Sequence, residues 1–175
     1  MVTESPTTKE CRDLFSPDRY VTGVVRIDPQ GLVSSGIRGV LLDIDNTLVP
    51  RDRTEAPPGV LDWVASLKSA GLGVCFVSNN WHDVIFDHAR ALGGDLVAKA
   101  MKPFPFAFLA GARRLGLRAR ECVVIGDQVF TDVLGGNLVG ASTILVRPQS
   151  VSDLPHTLLL RRLERIIMRD RSPES

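Results

Sequence analysis

What this chain has little of narrows its class. Three cysteines in 175 residues cannot all pair. Cys75 and Cys122 fall inside apolar runs, where a thiol behaves as a small hydrophobe. A disulfide scaffold is therefore excluded, and a reducing, cytoplasmic compartment is expected. No apolar run approaches the ~18 residues of a spanning helix, which leaves at most peripheral contact with a membrane. The first nineteen residues carry Glu4, Lys9, Glu10, Arg12 and Asp13 and no apolar centre, so they do not read as a signal peptide. A net charge of +1 gives no global pull toward nucleic acid, and none is expected as a partner. His82, His88 and His156 share no metal-ligand spacing, so surface or packing roles suit each of them better than chemistry.

What is present is enough apolar material for one well-buried domain and too little for two, with 44% hydrophobic and 23% charged residues. Residues 1–10 and 171–175 read as disordered ends around a single domain over residues 11–170. Inside it, strand and helix patterns alternate. Strands are predicted at about 38–43, 73–77, 96–98, 122–127 and 142–146. Pro57-Pro58-Gly59 opens a helix with Val60, Leu61, Val64 and Leu67 on its apolar face and Gly71 as its stop. A second helix, His82 to Leu92, should bury Ile85, Phe86, Ala89 and Leu92 before Gly93-Gly94. A third starts at Pro105, and a fourth carries Asp132. This repeat implies an α/β fold, a three-layer doubly wound parallel sheet with right-handed crossovers.

The chemistry gathers at strand ends. Val40-Leu41-Leu42-Asp43-Ile44-Asp45-Asn46-Thr47 is an apolar run that ends abruptly in two carboxylates separated by one residue. Asp and Asn weaken a sheet interior, so the acids fall at the strand's carboxyl end, where open α/β sheets bind ligands. With a period of two, Asp43 and Asp45 leave the tip on one side and can share a cation or a substrate. A lone Asp-x-Asp also reads as a solvated turn or an N-cap. The rest of the chain decides against that. Val74-Cys75-Phe76-Val77 ends in Ser78-Asn79-Asn80, Ala98-Lys99-Ala100-Met101-Lys102-Pro103 follows another short strand, and Cys122-Val123-Val124-Ile125-Gly126-Asp127 ends in a further acid with Asp132 beyond it.

This order resembles the four motifs of the haloacid dehalogenase-like (HAD) phosphatases, and in particular their YqeG-like branch. Asp43 to Leu48 matches the first motif, Ser78 the second, Lys102 the third, and Gly126-Asp127 through Asp132 the fourth. Ser78-Asn79-Asn80, Ala100-Met101-Lys102-Pro103 and the run from Gly126 to Asn137 carry the closer likeness. Pro17 to Val21, Ile27-Asp28-Pro29 and Arg161 to Arg165 extend it over nearly the whole chain. The resemblance implies a Rossmann-like core with Asp43 as nucleophile and Asp45 as general acid and base. It further implies Ser78, Asn79, Lys102 and Thr47 on the phosphoryl group, and Mg²⁺ on Asp43, the Asp45 backbone carbonyl and Asp127 with Asp132 in support. Relatives include a mitochondrial phosphatidylglycerophosphate phosphatase, so the substrate it implies is that lipid precursor. A soluble or protein phosphate is the alternative substrate, and a non-catalytic phosphate-binding or assembly protein on the same fold is the alternative of another class.

Four acids in one crevice repel one another unless a cation sits among them, and hard oxygen ligands suit Mg²⁺. The intervals from Asp43 to Ser78 and from Ser78 to Lys102 hold one helix and one strand each, so no cap domain is expected. An open site suits a phosphate presented on a membrane or macromolecule. From Leu96 to Arg120 the chain has Lys99, Lys102, Arg113, Arg114, Arg118 and Arg120 and no acid, which reads as a basic field beside the site that would attract an anionic surface. Arg161, Arg162, Arg165 and Arg169 alternate with Leu159, Leu160, Leu163, Ile166 and Ile167 as an amphipathic helix that either docks on the domain or lies on a bilayer. Trp81 reads as packing or a pocket wall rather than chemistry.

Overall fold

The computed structural model describes residues 13–50, 53, 55–150 and 173–174. The amphipathic stretch from Leu159 to Arg169, His156 and the N-terminal residues 1–10 lie outside them. Six strands form one all-parallel sheet in the order β1-β6-β5-β2-β3-β4. They are β1 (Arg19–Val21), β2 (Gly39–Leu42), β3 (Gly73–Val77), β4 (Asp95–Val97), β5 (Cys122–Gly126) and β6 (Ser142–Val146). The order reverses at β2, which pairs with β3 on one side and β5 on the other. A crevice at the carboxyl ends of the strands follows from that reversal.

β2 is buried along its whole length, as expected of a central parallel strand. Its side chains divide by parity. Val40 and Leu42 face a layer made of α1 (Pro29–Ser34), α2 (Pro58–Ser69) and α3 (Val84–Leu92), while Leu41 faces α4 (Pro105–Arg114). The short helix α5 (Leu134–Leu138) lies on the α4 side, where Gly136 comes against Val124 and Thr143. Cys75 and Cys122 are buried in the α4 layer, and burial pushes both thiols up to about 11, away from thiolate chemistry.

Most elements lie where the sequence pattern puts them, and the differences have physical reasons. On α2 the buried set is Val60, Trp63, Val64 and Leu67, and Leu61 is exposed. One residue turns a helix by about 100°, so Leu61 follows Val60 onto the outer face, while Trp63 returns to the inner one and donates its Nε1–H to the Ile27 carbonyl at 2.8 Å. On α3, Phe86 is likewise turned outward while Ile85, Ala89 and Leu92 are buried. The expected Asp132 helix begins as a π-helical turn over Val129–Val133 before α5. Two elements were not expected. Asp28 caps α1 by accepting from the Gln30 and Gly31 amides. β1 adds to the sheet edge beside β6, locked by Asp18, whose carboxylate accepts from the Thr143 amide at 2.8 Å.

Glu174 meets the open edge of β1. Its amide donates to the Tyr20 carbonyl at 2.7 Å and its carboxylate meets Arg19 at 2.7 Å, using groups that an edge strand leaves open.

α4 and α5 approach so closely at Gly135 that a β-carbon there would lie 2.2 Å from the Phe108 ring. Phe108 is almost wholly buried and cannot swing clear. Gly135→Ala should therefore lower unfolding free energy by about 1–3 kcal/mol in urea titrations, and an unchanged midpoint would contradict this contact.

Candidate active site

The β2 ladder continues one residue past the strand, since the Asp43 amide donates to the Ile125 carbonyl at 2.9 Å. The chain then turns through Asn46, whose backbone is left-handed at φ 67°. Asn tolerates that conformation, and its buried carboxamide fixes the turn. Asn46 Oδ1 accepts from the Ser150 amide and hydroxyl, each at 2.9 Å, while Asn46 Nδ2 donates to the Ser150 carbonyl. Gln149 Nε2 donates to the Thr47 carbonyl at 2.5 Å. The segment after β6 therefore braces the acidic loop from outside.

Asp43 is buried. Its Oδ2 accepts from the Thr47 hydroxyl at 2.9 Å and its Oδ1 from Lys102 Nζ at 2.5 Å. Lys102 Nζ also donates to Asp132 Oδ1 at 2.7 Å. Asp132 Oδ2 takes the Thr131 hydroxyl and the Gln128 amide. The π turn aims this acid back at β5, and Gly126 leaves room for it, because a β-carbon there would lie 2.2 Å from Asp132 Cγ. Asp43, Asp127 and Asp132 each offer a carboxylate oxygen within 4.8 Å of the others.

Asp45 takes a separate path from Asp43. Its side chain is half-buried, with Oδ2 accepting from the Ser78 hydroxyl at 3.0 Å and Oδ1 from Asn80 Nδ2 at 3.1 Å. Asn80 stands in the sequence within the run Ser78-Asn79-Asn80 without a role of its own, and the fold is what brings it to Asp45. Asn79, expected on the phosphoryl group, spends its carboxamide on the Lys102 main chain, with Oδ1 accepting from the Lys102 amide at 2.6 Å and Nδ2 donating to its carbonyl at 3.2 Å. The residues of all four strand ends are thus brought together, with Asn79 as the clamp between the β3 and β4 loops.

Three buried carboxylates facing one ammonium leave the cluster over-supplied with negative charge. Burial raises the Asp43 carboxyl well above its ordinary value of 3.8. Lys102 pulls it back, and Asp132, Asp127 and Asp45 push it further up. Burial alone would lower Lys102, but Asp132 and Asp43 outweigh it and hold the ammonium above its ordinary range. This donor set fits a hard divalent cation: oxygen ligands, excess negative charge and exclusion from bulk water.

The basic field lies elsewhere than the sequence suggested. Arg113 and Arg114 end α4, and Leu115 and Leu117 beyond them lie against Gly39 and Gly73, at the amino ends of β2 and β3. Arg118 shares Glu121 with Arg38 just ahead of β2. Helices that cross back over a parallel sheet finish at the edge opposite its site, so of the named cations only Lys99 and Lys102 are beside it. Trp81 is not packed into the core: it is 63% exposed, with Lys99 Nζ 5.1 Å from its ring centroid.

Comparison with known proteins identifies the family of this chain. Residues 100–154 match the HAD-hydrolase-like family. The chain is 40% identical to the probable phosphatase YqeG of Bacillus subtilis over 90% of its own length and 91% of that protein. It is 27% identical to an Arabidopsis thaliana phosphatidylglycerophosphate phosphatase over 90% of its length and 48% of that protein. In fold it resembles a HAD family enzyme of Bacteroides thetaiotaomicron solved with magnesium and inorganic phosphate, with TM-score 0.54 and 15% identity over 70% of this chain and 99% of that one.

The raised Asp43 value sets a pH dependence for the cation-free protein. Its folded form holds a proton that the unfolded chain releases above about 3.8, so stability falls as pH rises through and beyond that value. Burial is the main cause of this loss and repulsion from Asp132, Asp127 and Asp45 adds to it, and a divalent cation offsets both by giving the ionised carboxylates a counter-charge in competition with the proton. Magnesium chloride should therefore raise the melting temperature more at pH 7 than at pH 5, read by differential scanning calorimetry, and an equal shift at both would contradict a carboxylate-held cation.

Proposed function

This chain belongs to the haloacid dehalogenase-like hydrolases as a HAD-type phosphatase, and we propose that it hydrolyses a phosphomonoester through a phosphorylated Asp43. The observation that carries the reading is the division of labour between two carboxylates two residues apart. Asp43 is buried against Lys102 and Thr47, whereas Asp45 is held apart, half in solvent, by Ser78 and Asn80. Unequal environments let one acid attack and the other carry protons.

In the first step an Asp43 oxygen attacks phosphorus in line, the bond from phosphorus to the leaving oxygen breaks, and that oxygen takes a proton from Asp45. In the second, water attacks phosphorus, Asp45 accepts its proton, and the bond to Asp43 breaks to release inorganic phosphate and restore the carboxylate. Ser78 and Asn80 hold Asp45 at a fixed angle, and Thr47 does the same for Asp43. Lys102 sets positive charge against the attacking acid and the phosphoryl oxygens. Asp43 and Asp127, with the Asp45 backbone carbonyl and support from Asp132, would hold Mg²⁺, which supplies positive charge to offset these acids and the phosphate.

The substrate favoured is phosphatidylglycerophosphate, giving phosphatidylglycerol. Its support is the likeness to a phosphatase of that name and the openness of the site, since residues 43–57 between β2 and α2 are too few to build a lid domain. The test is Mg²⁺-dependent phosphate release from phosphatidylglycerophosphate in mixed micelles beside small phosphomonoesters. Lipid preference is expected, and faster hydrolysis of the small esters would replace the substrate while keeping the reaction. Asp43→Asn should keep the melting temperature within a few degrees and lower kcat by roughly 10⁴-fold or more. Asp45→Asn should lower it by about 10²–10⁴-fold. Appreciable turnover in Asp43→Asn would remove the nucleophile from this account.

A further inference from the structure

The loops after β3 and β4 that carry Ser78, Asn80 and Lys102, together with the first turn of α4, also carry a set of bare apolar side chains. Trp81 is 63% exposed, Phe104 60%, Met101 50% and Phe106 48%. Nothing in the reaction uses them. Their outward stance is built in. Ala100 is buried and its amide donates to the Ser78 carbonyl at 3.0 Å, while Lys99 and Met101 on either side are left-handed at φ 53° and 51°. Such backbone in non-glycine residues persists only where the surroundings impose it. The Phe104 and Phe106 rings stack at 6.1 Å, and Lys99 lies over Trp81.

We propose that Trp81, Met101, Phe104 and Phe106, with Lys99, form a membrane-seating rim that lays the mouth of the site on a lipid bilayer. The inference rests on the phosphatase reading and names how its lipid substrate is reached. Aromatic rings with a cation beside them are the side chains that settle at the boundary between headgroups and acyl chains. Lys102 is buried in the carboxylate cluster, so the exposed cation of this surface is Lys99, held over the Trp81 ring where it can meet a headgroup phosphate. Position selects the occupant. A protein bound permanently over this rim would close the entrance, whereas a bilayer covering it delivers the phosphomonoester to Lys102 and Asp43. The arginine stretch at the opposite edge of the sheet faces away from such a surface.

Trp81 is its own reporter, because Trp63 is buried with its Nε1–H on the Ile27 carbonyl. With phosphatidylcholine vesicles containing phosphatidylglycerol and brominated acyl chains, Trp81 fluorescence should be quenched while the Trp63 contribution persists. The double variant F104S/F106S should partition roughly a hundredfold more weakly, at about tenfold for each ring withdrawn from lipid. Its hydrolysis of p-nitrophenyl phosphate should match wild type, and V25S, which alters an exposed valine away from these loops, should change neither measurement. No quenching in wild type, or equal vesicle binding by F104S/F106S, would overturn the rim, and so would an equal loss of p-nitrophenyl phosphate hydrolysis, which would make the rings part of the site. Vesicle binding without hydrolysis of any phosphate would uphold the surface and refute the phosphatase reading.

Discussion

One ammonium group organises this molecule's functional end. Lys102 Nζ lies between Asp43 and Asp132, two buried acids delivered by different strands. Buried carboxylates at this distance cannot all remain ionised without a counter-charge, and withdrawing one member of such a buried set generally costs about 3–5 kcal/mol. The surrounding structure reads as the means of holding that lysine in place. Asn79 grips its main chain on both sides, Gly126 lets Asp132 approach, and the π turn after β5 supplies the angle.

Sheet topology then determines what else can take part. Because the strand order reverses at β2, the loops after β2, β3, β4 and β5 open onto one crevice, and each contributes to it: Asp43 and Asp45, Ser78 and Asn80, Lys102, Asp127 and Asp132. The two aspartates of the first loop divide between a buried, cation-facing environment and a half-exposed, hydrogen-bonded one. The same topology carries the carboxyl-terminal arginines of α4 to the far edge, which is why a run of basic residues contiguous in sequence with Lys102 does not flank the site.

Much of this was legible in the sequence because apolar runs ending in acids, hydroxyls or lysine are unusual and leave little choice of fold. β2, β3, β5 and β6 fall within a residue of their expected bounds. What escaped reading depends on contacts remote in sequence. β1 is three residues long and exists only because β6 offers an edge and Asp18 reaches Thr143. The partners of Asn79 and Asn80 could not be told apart from adjacent identical residues, since successive side chains in an extended loop diverge and only the fold says which one meets Asp45. Leu61 and Phe86 show the limit of counting apolar residues, because a helix can bury only the face turned toward the sheet.

The central claim is that Asp43 becomes phosphorylated during turnover. Mixing enzyme, Mg²⁺ and substrate in a rapid-quench apparatus, stopping in acid and mapping the phosphoryl group by peptide mass spectrometry tests it directly. The account predicts phosphate on the peptide containing Asp43, formed within one turnover, accumulating in Asp45→Asn as the second step slows and absent in Asp43→Asn. Turnover with no phosphorylated peptide at any time, or with phosphate on a different residue, would contradict it.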